Sequence, residues 1–358
     1  MKKTTKIIVP TICAAALLAI GCYEFVSATT VLNSAPNWTG AAAHTFSGSH
    51  GVVGLAGQDV YWFDNGGPTF WNDPLIDEFG GAYVLTSIAQ THTLGFHEHT
   101  FVHGNLVGES DNLSLLHTQQ GSPSSMEFVD PSVSTFSKYW TSYQVTEICD
   151  LAAASHGNFG NPSQSSSHLY MSFRACELND SSSCTAGVME LAFDTDISWW
   201  SPKQIGSTQQ IWITKPNGTL FSSECMPIAV TSRGDQSTQY LVVADPSMDE
   251  VSAYEAYSLA SGPVSDLQTF SGAYIEDIAL EGRADGNIDY AFLVTLWSDG
   301  RVEHRLLTDG DIASGTPFLT EYLPTHIQDI ATRNIGAQSS SGQLFTFGDQ
   351  VVRRSYEQ

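Results

Sequence analysis

A triplet made of a small or acidic residue, a bulky aliphatic residue and alanine recurs along the chain, and it limits what the chain can fold into. Its clearest copy is Asp277-Ile278-Ala279, where the aromatic Phe270 precedes Ile278 by eight positions. The same grammar is found at Asp329-Ile330-Ala331 after Tyr322, at Pro227-Ile228-Ala229 after Phe221 and at Asp150-Leu151-Ala152 after Tyr143. Two further copies are Ser87-Ile88-Ala89 after Phe79 and Gly54-Leu55-Ala56 after Phe46. Behind the triplet come a short apolar run, turn residues and a second run. After Ile278, for example, Phe292 to Trp297 turns at Asp299-Gly300 into Val302 to Leu307.

Six copies at roughly 40–50 residues, each with room for four short strands, are the signature of a β-propeller. No segment after the first 28 residues holds apolar residues at helical spacing over three turns, so the chain reads as all-β. The expected fold is a six-bladed propeller. Seven blades is the alternative, because the interval from Leu151 to Ile228 is 77 residues and could hide a degenerate unit. That interval also contains Pro216-Asn217-Gly218, and Asn-Gly is favoured in two-residue hairpin turns that need positive φ at both positions. The last unit ends one strand short, after Val351 to Ser355. Thr45-Phe46-Ser47-Gly48 matches Thr269-Phe270-Ser271-Gly272, so this N-terminal segment is expected to complete the last blade and close the ring.

The chain carries a formal charge of −24, from 38 acidic and only 14 basic side chains. Nucleic acid is therefore excluded as a partner, since its binding needs clustered Lys and Arg. Lys2, Lys3 and Lys6, an apolar run from Ile7 to Gly21 and the small residues Val26-Ser27-Ala28 read as a secretory signal over residues 1–28, leaving 29–358 as a single propeller domain. The expected location is secreted, cell-surface or periplasmic. Ala19-Ile20-Gly21-Cys22 offers a rival cleavage resembling a bacterial lipobox, which would attach the protein to a membrane through acyl chains at Cys22. Four cysteines remain, Cys149, Cys176, Cys184 and Cys225, and an even number in an exported chain points to disulfides. Cys176 and Cys184 flank a polar turn and would close a hairpin. Cys149 and Cys225 precede neighbouring triplets and could staple adjacent blades; a zinc site is the alternative, without a CxxC pair to support it.

The candidate ligand-binding residues come from the positions just beyond the triplets. His156, Arg233 and Arg283 stand five residues after Leu151, Ile228 and Ile278; Arg333 stands three after Ile330 and His92 four after Ile88. In so base-poor a chain, arginines at near-equivalent positions would converge on one mouth of a propeller channel, where their planar forks suit a carboxylate or phosphate. The plain alternative is that they pair with Asp150, Asp277 and Asp329 and tie blades together. His97, His99 and His103 add to a His-rich stretch that suits metal or proton chemistry, or simply a polar surface. Tryptophans could stack on sugar rings: Trp62 and Trp297 read as blade core, and Trp199-Trp200 as the pair with an exposed member.

Asp285-Gly286-Asn287-Ile288-Asp289-Tyr290, followed by the apolar run Ala291 to Val294, resembles the second half of the calcium loop of the FG-GAP repeat found in integrin-type propellers. The resemblance implies calcium at Asp285 and Asp289, the one cofactor to expect. It departs from that family at Glu281 and Arg283, where Asp or Asn ligands stand. No serine nucleophile elbow, phosphate loop or HExxH motif is present. The expected function is an exported, non-enzymatic binding module for a glycan or an anionic surface partner such as a cell-surface protein. A polysaccharide lyase or glycosidase is the first alternative and an adhesion scaffold the second.

Overall fold

A computed structural model describes the strands between Ala28 and Tyr356 and part of the connections between them. Residues 1–27, 34–37, 44–51, 73–82, 107–113, 120–126, 129–138, 195–202, 231–239 and 335–341 are among those outside the description. The signal segment, Cys22, Arg233 and Trp199-Trp200 therefore lie outside it.

The described residues form six antiparallel sheets. Their innermost strands are Gly40–Ala43, Tyr83–Thr93, Tyr143–Asn158, Ile228–Val230, Ile275–Asp285 and Ile327–Asn334, and each touches the next until the sixth returns to the first. The chain is a six-bladed β-propeller.

The repeated triplet explains why the ring forms. Side chains alternate across a strand, so the first and third members of a triplet face one neighbour and the middle member faces the other. Ile228 packs in one buried cluster with Ala152 of the preceding blade, Ile278 with Ala229, and Ile330 with Ala279. Leu151 likewise shares a cluster with Ala89. A bulky side chain from one blade thus meets an alanine from the last. Near the axis the inner strands lie closest together, and alanine is what lets them approach without voids.

The first copy departs from the sequence reading. Gly54-Leu55-Ala56 lies on a second strand, Val52–Ala56, and the innermost strand of blade one is Gly40–Ala43. A Cβ on Gly40 would stand 3.2 Å from Leu55 Cδ1 and 3.4 Å from the Thr86 carbonyl oxygen. A side chain here would be tight, and the small residues Gly40-Ala41-Ala42 hide the unit from a pattern search.

The ring is closed by an N-terminal strand, as expected, but by a different one. Ala28–Asn33 pairs antiparallel with Val351–Tyr356 as the outer strand of blade six, while Thr45–Gly48 lies outside the described residues. From there the chain passes Trp38, whose ring meets Phe347 of blade six at 5.3 Å and Tyr61 of blade one at 5.5 Å. Gly54 leaves the room for it: a Cβ there would stand 2.7 Å from the indole.

The long third unit is one blade. Its three main strands, Tyr143–Asn158, Asn161–Glu177 and Asp180–Asp194, run to 16, 17 and 15 residues, and strand length accounts for much of the interval. The turn at Asn217-Gly218 also differs from expectation. Gly218 alone takes positive φ (79°), and its N–H donates to the Lys215 carbonyl; the Asn217 side chain instead accepts from the Thr219 amide. The same Gly-bearing turn recurs at Gly300, whose N–H donates to the Trp297 carbonyl. Lys215 itself is buried in an ion triad, 2.6 Å from Asp245 and 2.5 Å from Glu250. Trp297 is fully buried, as read from its strand position, and Arg301 lies over its ring at 4.6 Å.

Closure by Ala28–Asn33 makes a prediction. A chain beginning at residue 34 loses about five inter-strand backbone hydrogen bonds at ~1 kcal/mol each. At ~2 °C per kcal/mol for a large domain, its Tm falls by about 10 °C. Differential scanning calorimetry checks this, and an unchanged Tm would show that the strand does not close the ring.

Candidate functional site: two ends of the channel

At the end of the channel where the inner strands begin, the triplet's first residues converge. A cavity of about 250 Å³ is lined there by Ser87, Asp150, Glu276, Asp277, Gln328 and Asp329, among others, and none of its lining residues is basic. Two carboxylates staple adjacent blades in the same way. Asp150 accepts from its own blade's Leu151 amide and from the Ile228 amide of the next blade, both at 2.8 Å. Asp277 accepts from Ile278 at 2.7 Å and from Ile330 of the next blade at 2.8 Å. Asp329 continues the series across the closure, accepting from the Ala41 amide of blade one. Ser87 of blade two donates to Asp150 at 3.2 Å.

The three carboxyls repel one another. Burial raises Asp150 to about 7, with the Asp277 charge adding to the rise and three hydrogen bonds opposing it. Burial also raises Asp277 to about 6; the hydrogen bond from Asp329 and those from the Ile330 and Ile278 amides limit the rise. Asp329 is held well above the usual carboxylate range by burial first, then by the Asp277 charge and the hydrogen bond to it. Like charges held together behave this way: a proton remains shared where full ionisation would be costly.

Beside this acid ring, Cys149 is bonded to Cys225, joining blade three to the approach to blade four, and Cys176 is bonded to Cys184 across neighbouring strands. Both pairings match the sequence reading. Glu147 lies near Cys149 and Cys225, but a disulfide offers no thiolate, so this grouping is not a metal centre.

Four of the expected ligand-binding positions lie farther along the inner strands, toward the other end of the channel, and the fifth, Arg233, is outside the described residues. Arg283 stands six positions beyond Asp277 and Arg333 four beyond Asp329, with no register break between, so each shares the strand parity of its acid. His156 keeps the same relation to Asp150, whereas His92, five beyond Ser87, has the opposite parity. At ~3.3 Å per residue this sets these positions roughly 13–20 Å from the acid ring. Their side chains lie outside the description, as do those of His97 and His99. Asp285 and Asp289 flank the Gly286-Asn287 hairpin tip of blade five on paired strands, Asp285 opposite Ile288 and Asp289 opposite Ala284. His103 is core: its Nδ1 hydrogen-bonds Thr86 Oγ1 at 2.7 Å, and burial lowers its pKa to about 4.

Sequence reasoning named the three aspartates only as possible arginine partners. It missed their use on backbone amides, although their shared place at the head of the triplet was the signal.

The chain matches no protein-family model and no curated protein. In fold it is similar to AofleA from Arthrobotrys oligospora. A mutant of that protein superposes with a TM-score of 0.53 at 8% identity, over 92% of this chain and 87% of the other. It is also similar to the fungal lectin of Aleuria aurantia, a six-bladed β-propeller, with a TM-score of 0.50 at 12% identity over 91% and 90% of the two chains. At such identities the likeness is one of fold.

The two disulfides differ in the loops they close, with sequence separations of 76 and 8. Replacing Cys149 and Cys225 by serine should cost about 4.5 kcal/mol, against about 2.5 kcal/mol for Cys176 and Cys184. Urea unfolding of the two double variants tests this ordering, and the reverse ordering would contradict it.

Proposed function

We propose that the protein is an exported, non-enzymatic binding module that holds a glycan or an anionic surface ligand on the face where the inner hairpins turn. The observation that carries this reading is the extent of the fold likeness. About nine tenths of both chains align with the Aleuria aurantia lectin, for which a fucose recognition mode is described and which has been obtained with α-methyl-L-fucoside. The base-poor composition supports it as well, since Arg233, Arg283 and Arg333 gather scarce positive charge at near-equivalent places in three consecutive blades. Arginine holds a carboxylate at two points, which suits acidic sugars. Two disulfides and the secretory reading of residues 1–28 support export.

One observation favours a glycosidase as the second reading: Asp150 and Asp277 line a cavity with pKa values near neutrality. Against it, both oxygens of each carboxylate already accept a backbone amide, which is a structural use.

The two readings separate in one experiment, in which purified protein is mixed with neutral and acidic polysaccharides and the supernatant is followed for reducing or unsaturated products. Depletion without product is the expected result, and product would establish an enzyme. Changing Arg233 and Arg283 together to alanine should then weaken retention on the acidic polysaccharide at least tenfold with Tm unchanged. A variant that binds as before would remove the arginines from the site.

A further inference from the structure

The junction between blades six and one is crossed by the N-terminal segment, which leaves the outer strand Ala28–Asn33 of blade six for the inner strand Gly40–Ala43 of blade one. At the channel it is joined by two described polar contacts. Asp329 accepts from the Ala41 amide, and the Trp38 amide donates to Gln328 Oε1 at 3.1 Å. Asp329 is also the carboxyl that donates a hydrogen bond to Asp277, whose other contacts tie blade five to blade six. One carboxyl thus bridges three blades: it accepts from Ala41 in either protonation state, and it donates to Asp277 only while it carries a proton.

We propose that this junction is a proton-dependent latch: the hydrogen shared between the Asp329 and Asp277 carboxyls keeps the two together beside the Ala41 amide, and its loss sets their charges against each other and loosens closure of the ring.

The groups facing the latch all push the same way. Asp150 approaches from blade three, Glu276 lies beside Asp277 on blade five, and both are acidic. Tyr274 at the rim stays neutral, its pKa raised to about 12 by burial and then by Glu224, Asp245 and Glu276. The inner strands of blades one and four, Gly40–Ala43 and Ile228–Val230, bring no titratable side chain. Arg283 and Arg333 stand six and four residues farther along their strands. Once the shared proton leaves, nothing lining the cavity offsets the added charge.

The direction of the effect follows from linkage. Asp150 and Asp277 titrate at about 7 and about 6 in the folded chain and Asp329 well above the usual carboxylate range, so above about pH 4 the folded state holds protons that unfolding would release. Raising pH through this range therefore favours opening, by up to tenfold in the equilibrium per pH unit for each such proton.

Hydrogen exchange on the intact exported protein tests the latch. Corrected for intrinsic rates, protection of the amides in Gly40–Ala43 should fall at least tenfold between pH 5 and pH 8, while that of Tyr240–Asp245 in blade four falls less. Equal protection of Gly40–Ala43 at the two pH values would overturn the proposal, as would an equal fall in both segments. Asp329→Asn provides an independent arm. Its Oδ1 can still accept from Ala41, and its Nδ2 can donate to Asp277 without titrating. The variant should match the wild type at pH 5 and exceed it in Gly40–Ala43 protection at pH 8. A variant as pH-sensitive as the wild type, or one that is weaker at both values, would refute the latch.

Discussion

The structure depends on a carboxylate at the start of an inner strand accepting the amide of the neighbouring inner strand. Around a narrow channel the first strand of each blade has one edge with no partner in its own sheet, and its amides must find acceptors elsewhere. Asp150, Asp277 and Asp329 supply them across three of the junctions. The bulky aliphatic residue and the alanine that follow each acid do the complementary work in the apolar layer. Polar joint and apolar joint are therefore two consequences of one three-residue pattern.

That arrangement gathers acidic side chains at one end of the channel in a chain already strongly acidic, while Arg283 and Arg333 stand farther along the same inner strands. The two ends have different work. The acid end is engaged with backbone and holds the ring together, while the proposed function uses the hairpin end, where a ligand could be held without disturbing the joints. A propeller suits this division because the hairpin tips vary freely once the inner strands are fixed.

Much of the architecture was legible because it rests on local repetition. The all-β class and a count of six blades can be read from spacing, and the cysteine positions suggest both pairings without fixing them. The misreadings have physical causes. Gly40-Ala41-Ala42 has alanine where the other copies carry a bulky aliphatic residue, so Gly54-Leu55-Ala56, one strand later, fits the pattern better. Ala28–Asn33 carries no aromatic to mark it as a closing strand, so the better match at Thr45–Gly48 was preferred. The triad of Lys215, Asp245 and Glu250 joins residues from separate hairpins, and no spacing rule relates them. The role of the aspartates was visible as a position but not as a bond, because the amides they accept from belong to other blades.

The most direct test of this account is a carboxyl carbon-13 NMR titration of aspartate-labelled protein, with resonances assigned by single Asp-to-Asn variants. The account predicts that Asp150 titrates at about 7 and Asp277 at about 6, with Asp329 well above the usual carboxylate range. If all three titrated near 4, as free aspartates do, the carboxyls would not be crowded together at the joints and the account would be wrong.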